Sequence, residues 1–329
     1  MIPHSMALLT RDAEGLFWMA RYLERVENMA RLIDVTQTFE SPGREVESWS
    51  ALVAIHADGP KLEGRPIDAA TVKYFYLLDP ENPNSIPSAL ELARTNARTL
   101  RPLISTEMWM QLNMFHRMVM AITPEELTGD ALSRLCRQLK EGVQAHTGIT
   151  EGTFFRDQGW HFYMLGRLVE RADQVTRLLD IKYHLILRGS EEERRLADLT
   201  QWNAVLRAAA GYHAFRRVAQ AGFQPWDVVK FLLSDGAFAR SVALCLRDME
   251  WHLHQLRSTY GLRDTAAVLE RLDEVRVALG TGSGFLQPGG GLHEFLDKLQ
   301  TDLQRVADEI GTAFFRDWRP LLRVQSQSA

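Results

Sequence analysis

Residues 21–34 read Arg21-Tyr22-Leu23-Glu24-Arg25-Val26-Glu27-Asn28-Met29-Ala30-Arg31-Leu32-Ile33-Asp34, and residues 167–180 read Arg167-Leu168-Val169-Glu170-Arg171-Ala172-Asp173-Gln174-Val175-Thr176-Arg177-Leu178-Leu179-Asp180. The offset is constant (167 − 21 = 180 − 34 = 146), and each charged position is matched in kind. Apolar positions drift freely between hydrophobes of similar size, so a match across seven polar positions carries more information than a matched core stripe. It predicts a tandem duplication in which an organised charge pattern recurs.

Weaker echoes continue outward. Trp49-Ser50-Ala51 is followed by Trp202-Asn203-Ala204, and Phe75 to Asp79 with Ser85 is followed by Phe231 to Asp235 with Ser241. The offsets grow to 202 − 49 = 153 and 241 − 85 = 156, as short loop insertions between matching helices would produce. Dividing the chain near residue 150 gives two halves, 1–150 and 151–329, with the same run of elements. Those elements read as helices throughout. From Phe17 to Thr38, the residues Met19, Tyr22, Leu23, Val26, Met29, Ala30 and Ile33 recur at three- and four-residue spacing. The same period runs through Ser85–Met120, with Ser85 as N-cap and Pro102 as a kink or break, and through Tyr163–Leu187, Ala237–Leu256 and Leu292–Phe315. No sustained period-two alternation occurs. Breakers fall at Ser41 to Gly43, Gly59 to Pro66, Asp79 to Pro83, Arg188 to Glu192 and Gly280 to Gly291. The expected fold is all-α, a tandem-duplicated helical bundle with two pseudo-symmetric halves.

Composition narrows the function classes. The chain of 329 residues is 46% hydrophobic and 24% charged, with a net charge of −4 and no basic run, which argues against nucleic-acid binding. Cys136 and Cys245 stand far apart and form neither a disulfide framework nor a thiolate metal site. Met1 to Gly15 lacks an apolar core of the signal-peptide kind, and no apolar run is long enough to span a bilayer; the expectation is a cytoplasmic protein.

At about 100° per residue the charged side chains occupy one half of each signature helix, opposite the apolar face. Local pairs are available at Glu27–Arg31, Arg31–Asp34 and Arg21–Glu24, and at Asp173–Arg177, Arg177–Asp180 and Arg167–Glu170. Two readings stand. Such a stripe is a solvated face of weak ion pairs, or it is an inward network of paired groups. All six basic positions are arginine, the residue suited to fixed geometry in partly desolvated places. An inward network would either lock helices together or line a site for a carboxylate or phosphate.

Other chemistry is thinner. No Glu-x-x-His occurs, and the interleaved arginines oppose a cation site, so no metal and no cofactor is expected. Asp180–His184 and Glu250–His254 read as helix-face pairs, His252 and His254 point to different faces, and Gly280–Gly284 with Gly289–Gly291 reads as a flexible loop. Core packing is the expected role of Trp18, Trp49, Trp109, Trp160, Trp202, Trp226, Trp251 and Trp318. Glu107, set among Met108, Trp109 and Met110, is expected either to pair with a stripe arginine or to have a raised pKa.

Leu9-Thr10-Arg11 leading into Phe17-Trp18-Met19-Ala20-Arg21 and the first stripe resembles the opening of the bacterial alpha-E domain family. Ser105 to Asn113, and Arg156-Asp157-Gln158-Gly159-Trp160-His161-Phe162 running through to Asp180, are similar to it as well. Ala20 departs from the glycine common there, which Gly166 retains in the second stripe. The resemblance implies an all-helical domain of unknown function, associated with an ATP-grasp ligase-like protein and often a transglutaminase-like protein. Three roles follow as expectations. The first is an accessory partner of an amide or peptide ligase, with Arg21, Arg25, Arg31, Arg167, Arg171 and Arg177 binding an anionic substrate or partner. Glu27, Asn28, Asp34, Asp173, Gln174, Asp180, Trp109 and Trp160 would support them. The second is an autonomous enzyme with Glu24, Glu170, Glu107 and Asp157 as acid/base candidates in a cleft between the halves. The third is a purely structural network.

Overall fold

The computed structural model describes residues 8–39, 45–186, 201–219, 225–281 and 291–315. Among them every regular element is helical and no strand occurs. The breakers at Ser41–Gly43 and Arg188–Glu192, the Gly282–Gly289 part of the glycine-rich loop, the side chain of His184 and Trp318 lie outside the described residues.

Four helices close a ring: α1 (Thr10–Phe39), α4 (Ile86–Thr99), α5 (Thr106–Met120) and α6 (Gly129–Thr153). In it α1 packs on α4 and α6, and α5 bridges those two. Between α1 and α4 the chain passes through α2 (Glu45–Ile55), a 3-10 turn at Gly59–Leu62 and α3 (Ala69–Leu77). A second ring joins α7 (Gln158–Ile186), α11 (Val242–Tyr260), α12 (Thr265–Thr281) and α13 (Leu292–Phe314), again with the first-named helix on two neighbours and the third bridging them. Leading into α11 are α8 (201–208), α9 (Tyr212–Val218) and α10 (Pro225–Ser234). The most extensive helix–helix contact in the molecule is α1 on α7, which joins the rings.

Local chemistry sets the boundaries. Ser85 caps α4 by accepting from Ser88 N, and Ser241 caps α11 by accepting from Leu244 N. Pro102 falls in the break between α4 and α5, where it cannot continue a helix. Residue 150 lies within α6, and the chain turns only between Thr153 and Gln158. The apolar stripe of α13 (Leu292, Phe295, Leu296, Leu299, Leu303, Val306 and Ile310) is buried throughout. By contrast, α1 is buried on both its apolar and its charged sides.

Candidate functional site

Contacts between α1 and α7 step up both helices together: Phe17 meets Gly166, Arg21 meets Glu170, and Glu24 meets Arg171. The two helices therefore run in the same direction, side by side. A Cβ on Gly166 would lie 2.1 Å from the Phe17 carbonyl oxygen, so only glycine permits this approach.

The approach brings the two charged stripes face to face. Glu170 accepts from Arg21 Nε at 2.8 Å and from Arg25 Nε at 2.6 Å. Glu24 in turn accepts from Nε and Nη2 of Arg171, both at 2.9 Å, in a two-point grip. Arg31 holds Glu27 at 2.5 Å, and Arg177 holds Asp173 at 2.7 Å. Beyond these, Arg31 Nη1 donates to the Ala208 carbonyl at the end of α8, and Arg177 Nη1 donates to the Ile55 carbonyl at the end of α2. Both of those helices end the same way, with an alanine at positive φ (Ala57 at 52°, Ala210 at 56°). Left-handed alanine costs about 1–2 kcal/mol, offset here by the chain reversal that presents each carbonyl.

Burial works to raise the Glu24 carboxyl; the Arg171 and Arg240 guanidiniums overcome it and hold the group at about 2. Burial opposes ionisation of Glu170 likewise, and Arg25 and Arg21 bring it to about 2. Both are ionised and saturated with donors. A general acid or base needs a proton to move near the working pH, and these two carboxylates are the reverse of that. Glu107 is exposed in the first turn of α5, so neither pairing with the stripe nor a hydrophobic setting describes it. Asp157 caps the start of α7, accepting from Gly159 N and Trp160 N. The four acid/base candidates thus fall at three separate places.

The solvated-face reading of the stripes does not hold: Arg21, Glu24, Glu27, Asn28, Arg31 and Glu170 are all buried. Of the local pairs, Glu27–Arg31 and Asp173–Arg177 form. Arg21 and Glu24 turn instead to α7, Asp34 takes Lys140 at 2.6 Å, Asp180 takes His293 at 2.7 Å, and Arg167 reaches Glu151 at 3.2 Å. Trp109 and Trp160 stay outside the cluster, the first under Arg101 and the second under Arg156. Trp251 is 53% exposed and so is not a core residue.

Sequence reasoning missed Arg240, which lies just before the capping serine of α11 and donates to Glu24 at 2.9 Å and to Glu27 at 2.7 Å. It also missed a hollow of about 130 Å³ between α1, α4 and α7, walled by Arg25, His56, Asn84, Asp173, Gln174 and Arg177. The one signal was the Ser85/Ser241 match, whose preceding residues differ. For a metal, Asp180, His293 and Asp297 offer ligand atoms within 4.8 Å of one another. Lys140, however, does for Asp34 what His293 does for Asp180, and an ammonium group is no ligand. Although burial acts to lower it, the His293 pKa is raised by its bond and attraction to Asp180. His293 thus stands between the two carboxylates, 2.7 Å from Asp180 and 3.5 Å from Asp297.

The Alpha-E family model, described as a predicted alpha-helical domain with a conserved ER motif, matches residues 8–315. Of the Glu-Arg pairs in the sequence, Glu24-Arg25 and Glu170-Arg171 lie at the centre of the cluster. Uncharacterised proteins of Mycobacterium bovis and Mycobacterium tuberculosis are 27% identical over 276 residues, covering 76% of this chain and 30% of each relative. The chain therefore matches under a third of the length of those relatives. No solved structure matches. No helix among the described residues is long and apolar enough to cross a membrane.

Proposed function

The chain belongs to the Alpha-E family, and from that premise we propose that it is a helical binding module working beside an ATP-grasp-type carboxylate–amine ligase. Its α1–α7 charge cluster serves two ends. Most of it is a lock between the rings, and the hollow beside Arg25 and Arg177 is a site for a small carboxylate. The observation that carries the site is a surplus of donors. Arg25 uses only Nε on Glu170, and Arg177 uses only Nε and Nη1, so both keep further N–H groups, and both side chains line the hollow. Two guanidiniums (Arg25, Arg177) and two carboxylates (Glu170, Asp173) line the hollow, and Arg21 holds Glu170 from outside it. Burial keeps His56 neutral by lowering its pKa. A carboxylate entering here would accept from those remaining N–H groups.

We read the two rings as tandem copies divided near residue 150 (1–150 and 151–329), the nearest turn being the one after Thr153. The support is pairwise: Arg31 to Ala208 against Arg177 to Ile55, Asp34–Lys140 against Asp180–His293, and the capping serines 85 and 241. The ligase partner rests on the family resemblance. The autonomous-enzyme reading loses its central pair, since Glu24 and Glu170 are saturated ions.

Thermal unfolding in acetate or propionate against chloride at equal ionic strength tests the site. Carboxylate is expected to raise the melting temperature of the wild type and leave Arg177→Met unmoved from its own baseline. No shift in the wild type with either anion would leave the cluster as a lock alone.

A further inference from the structure

Arg240 and Asn84 occupy the same place in their helices, each just before the capping serine, yet leave very different surroundings. Arg240 brings its guanidinium to Glu24 Oε1, Glu27 Oε1 and, at 3.4 Å, Asn28 Oδ1. The matching groups of the second stripe are Glu170, Asp173 and Gln174. No cation reaches them from Asn84, whose short amide turns away to donate to both carboxylate oxygens of Asp58 at 2.8 and 3.0 Å. The hollow is the space left over. On its wall Gln174, only 9% exposed, has a buried Oε1 with no partner. Asp173 accepts from Arg177 through Oδ2 and keeps Oδ1. His56 Nδ1 lies 3.0 Å from the Leu52 carbonyl and must donate to it, which leaves Nε2 as a further acceptor.

The walls therefore present two kinds of unmet demand: donors on Arg25 and Arg177, and acceptors on Gln174, Asp173 and His56. A bare cation would leave the donors of Arg25 and Arg177 unmet. A bare anion would leave a buried carbonyl oxygen unpaired, which is costly. A group carrying both charges meets both demands and leaves the net charge unchanged.

We infer that the hollow takes a free small amino acid, its ammonium seated where Arg240's guanidinium sits on the other side and its carboxylate on Arg25 and Arg177. This rests on the carboxylate reading above and narrows it. A volume of about 130 Å³, small beside drug-sized pockets, suits a ligand of the size of glycine, alanine or serine.

Isothermal titration of the whole chain with L-alanine, propionate and ethylammonium separates the possibilities. Alanine is expected to bind at least tenfold more tightly than either single-charge analogue. Propionate binding as well as alanine would overturn the amino-acid inference and leave the carboxylate site standing. Binding by none of the three would overturn both. Two variants check the geometry. Asn84→Arg supplies the missing guanidinium from the chain itself, and is expected to abolish alanine binding. Gln174→Met removes the unpartnered oxygen, and is expected to weaken alanine about tenfold with propionate unchanged. Alanine bound unchanged by both variants would overturn the inference.

Discussion

At the scale of single residues, the weight of an ion pair here depends on where it sits. Glu170 is 1% exposed and holds two guanidiniums, whereas Arg305 and Asp302 make a pair in which the arginine is 59% exposed. Exposed pairs contribute about 0–1 kcal/mol. Removing one partner of a buried set leaves charge without compensation and costs about 3–5 kcal/mol. Glu170→Gln is therefore expected to destabilise the protein by that larger amount, and Arg305→Ala by less than about 1 kcal/mol, in urea unfolding. Equal, small losses would mean that water reaches the cluster. The arginine-only stripes were legible in the sequence as a sign of fixed geometry. Their partners were not: local spacing pointed to Arg21–Glu24, while the bond made is Arg21–Glu170. A helix can offer a neighbour at three or four residues, but a better-aligned acceptor on a second helix wins once both are desolvated.

At the scale of helices, the decisive pair is α1 on α7, and its closeness depends on one missing side chain. The Gly166 Cα faces the backbone of Phe17, which cannot rotate away as a side chain could. Gly166→Ala is expected to push the helices apart and cost about 2 kcal/mol or more. Gly148→Ala, in the exposed interior of α6 with nothing within 4 Å, is expected to be neutral or stabilising by up to about 1 kcal/mol. Thermal melts of the two variants side by side read the difference, and matched behaviour would refute the close approach. Element boundaries were largely readable: Ser85 marks a start, Pro102 a break, and the period-3.6 stripe of α13 its buried face. The neighbours of each helix were not, because an amphipathic stripe says that a face is covered and not by what.

At the scale of the molecule, the cluster couples the stability of both rings to pH. Glu24 and Glu170 sit at about 2 when folded, against about 4.3 for an unfolded glutamate. Groups depressed in this way stabilise fully above the unfolded value, and that contribution drains away as pH falls towards the folded one. The melting temperature is expected to hold down to about pH 4.5 and drop steeply between there and about pH 2. Because the cluster spans α1 and α7, both rings should unfold in one transition. The slope should be shallower in Glu24→Gln. A flat profile through pH 3, or two separate transitions, would contradict a shared ionic lock.

The sequence alone settled that the chain is helical and that its charge pattern occurs twice, since periodicity and composition are local properties of the chain. Only the tertiary structure decided that the stripes face each other, that Arg240 joins one of them and that Asn84 leaves a hollow beside the other. Those outcomes depend on side chains more than a hundred residues apart meeting in a desolvated space. There, a difference of one side-chain length between an arginine and an asparagine separates a filled site from an open one.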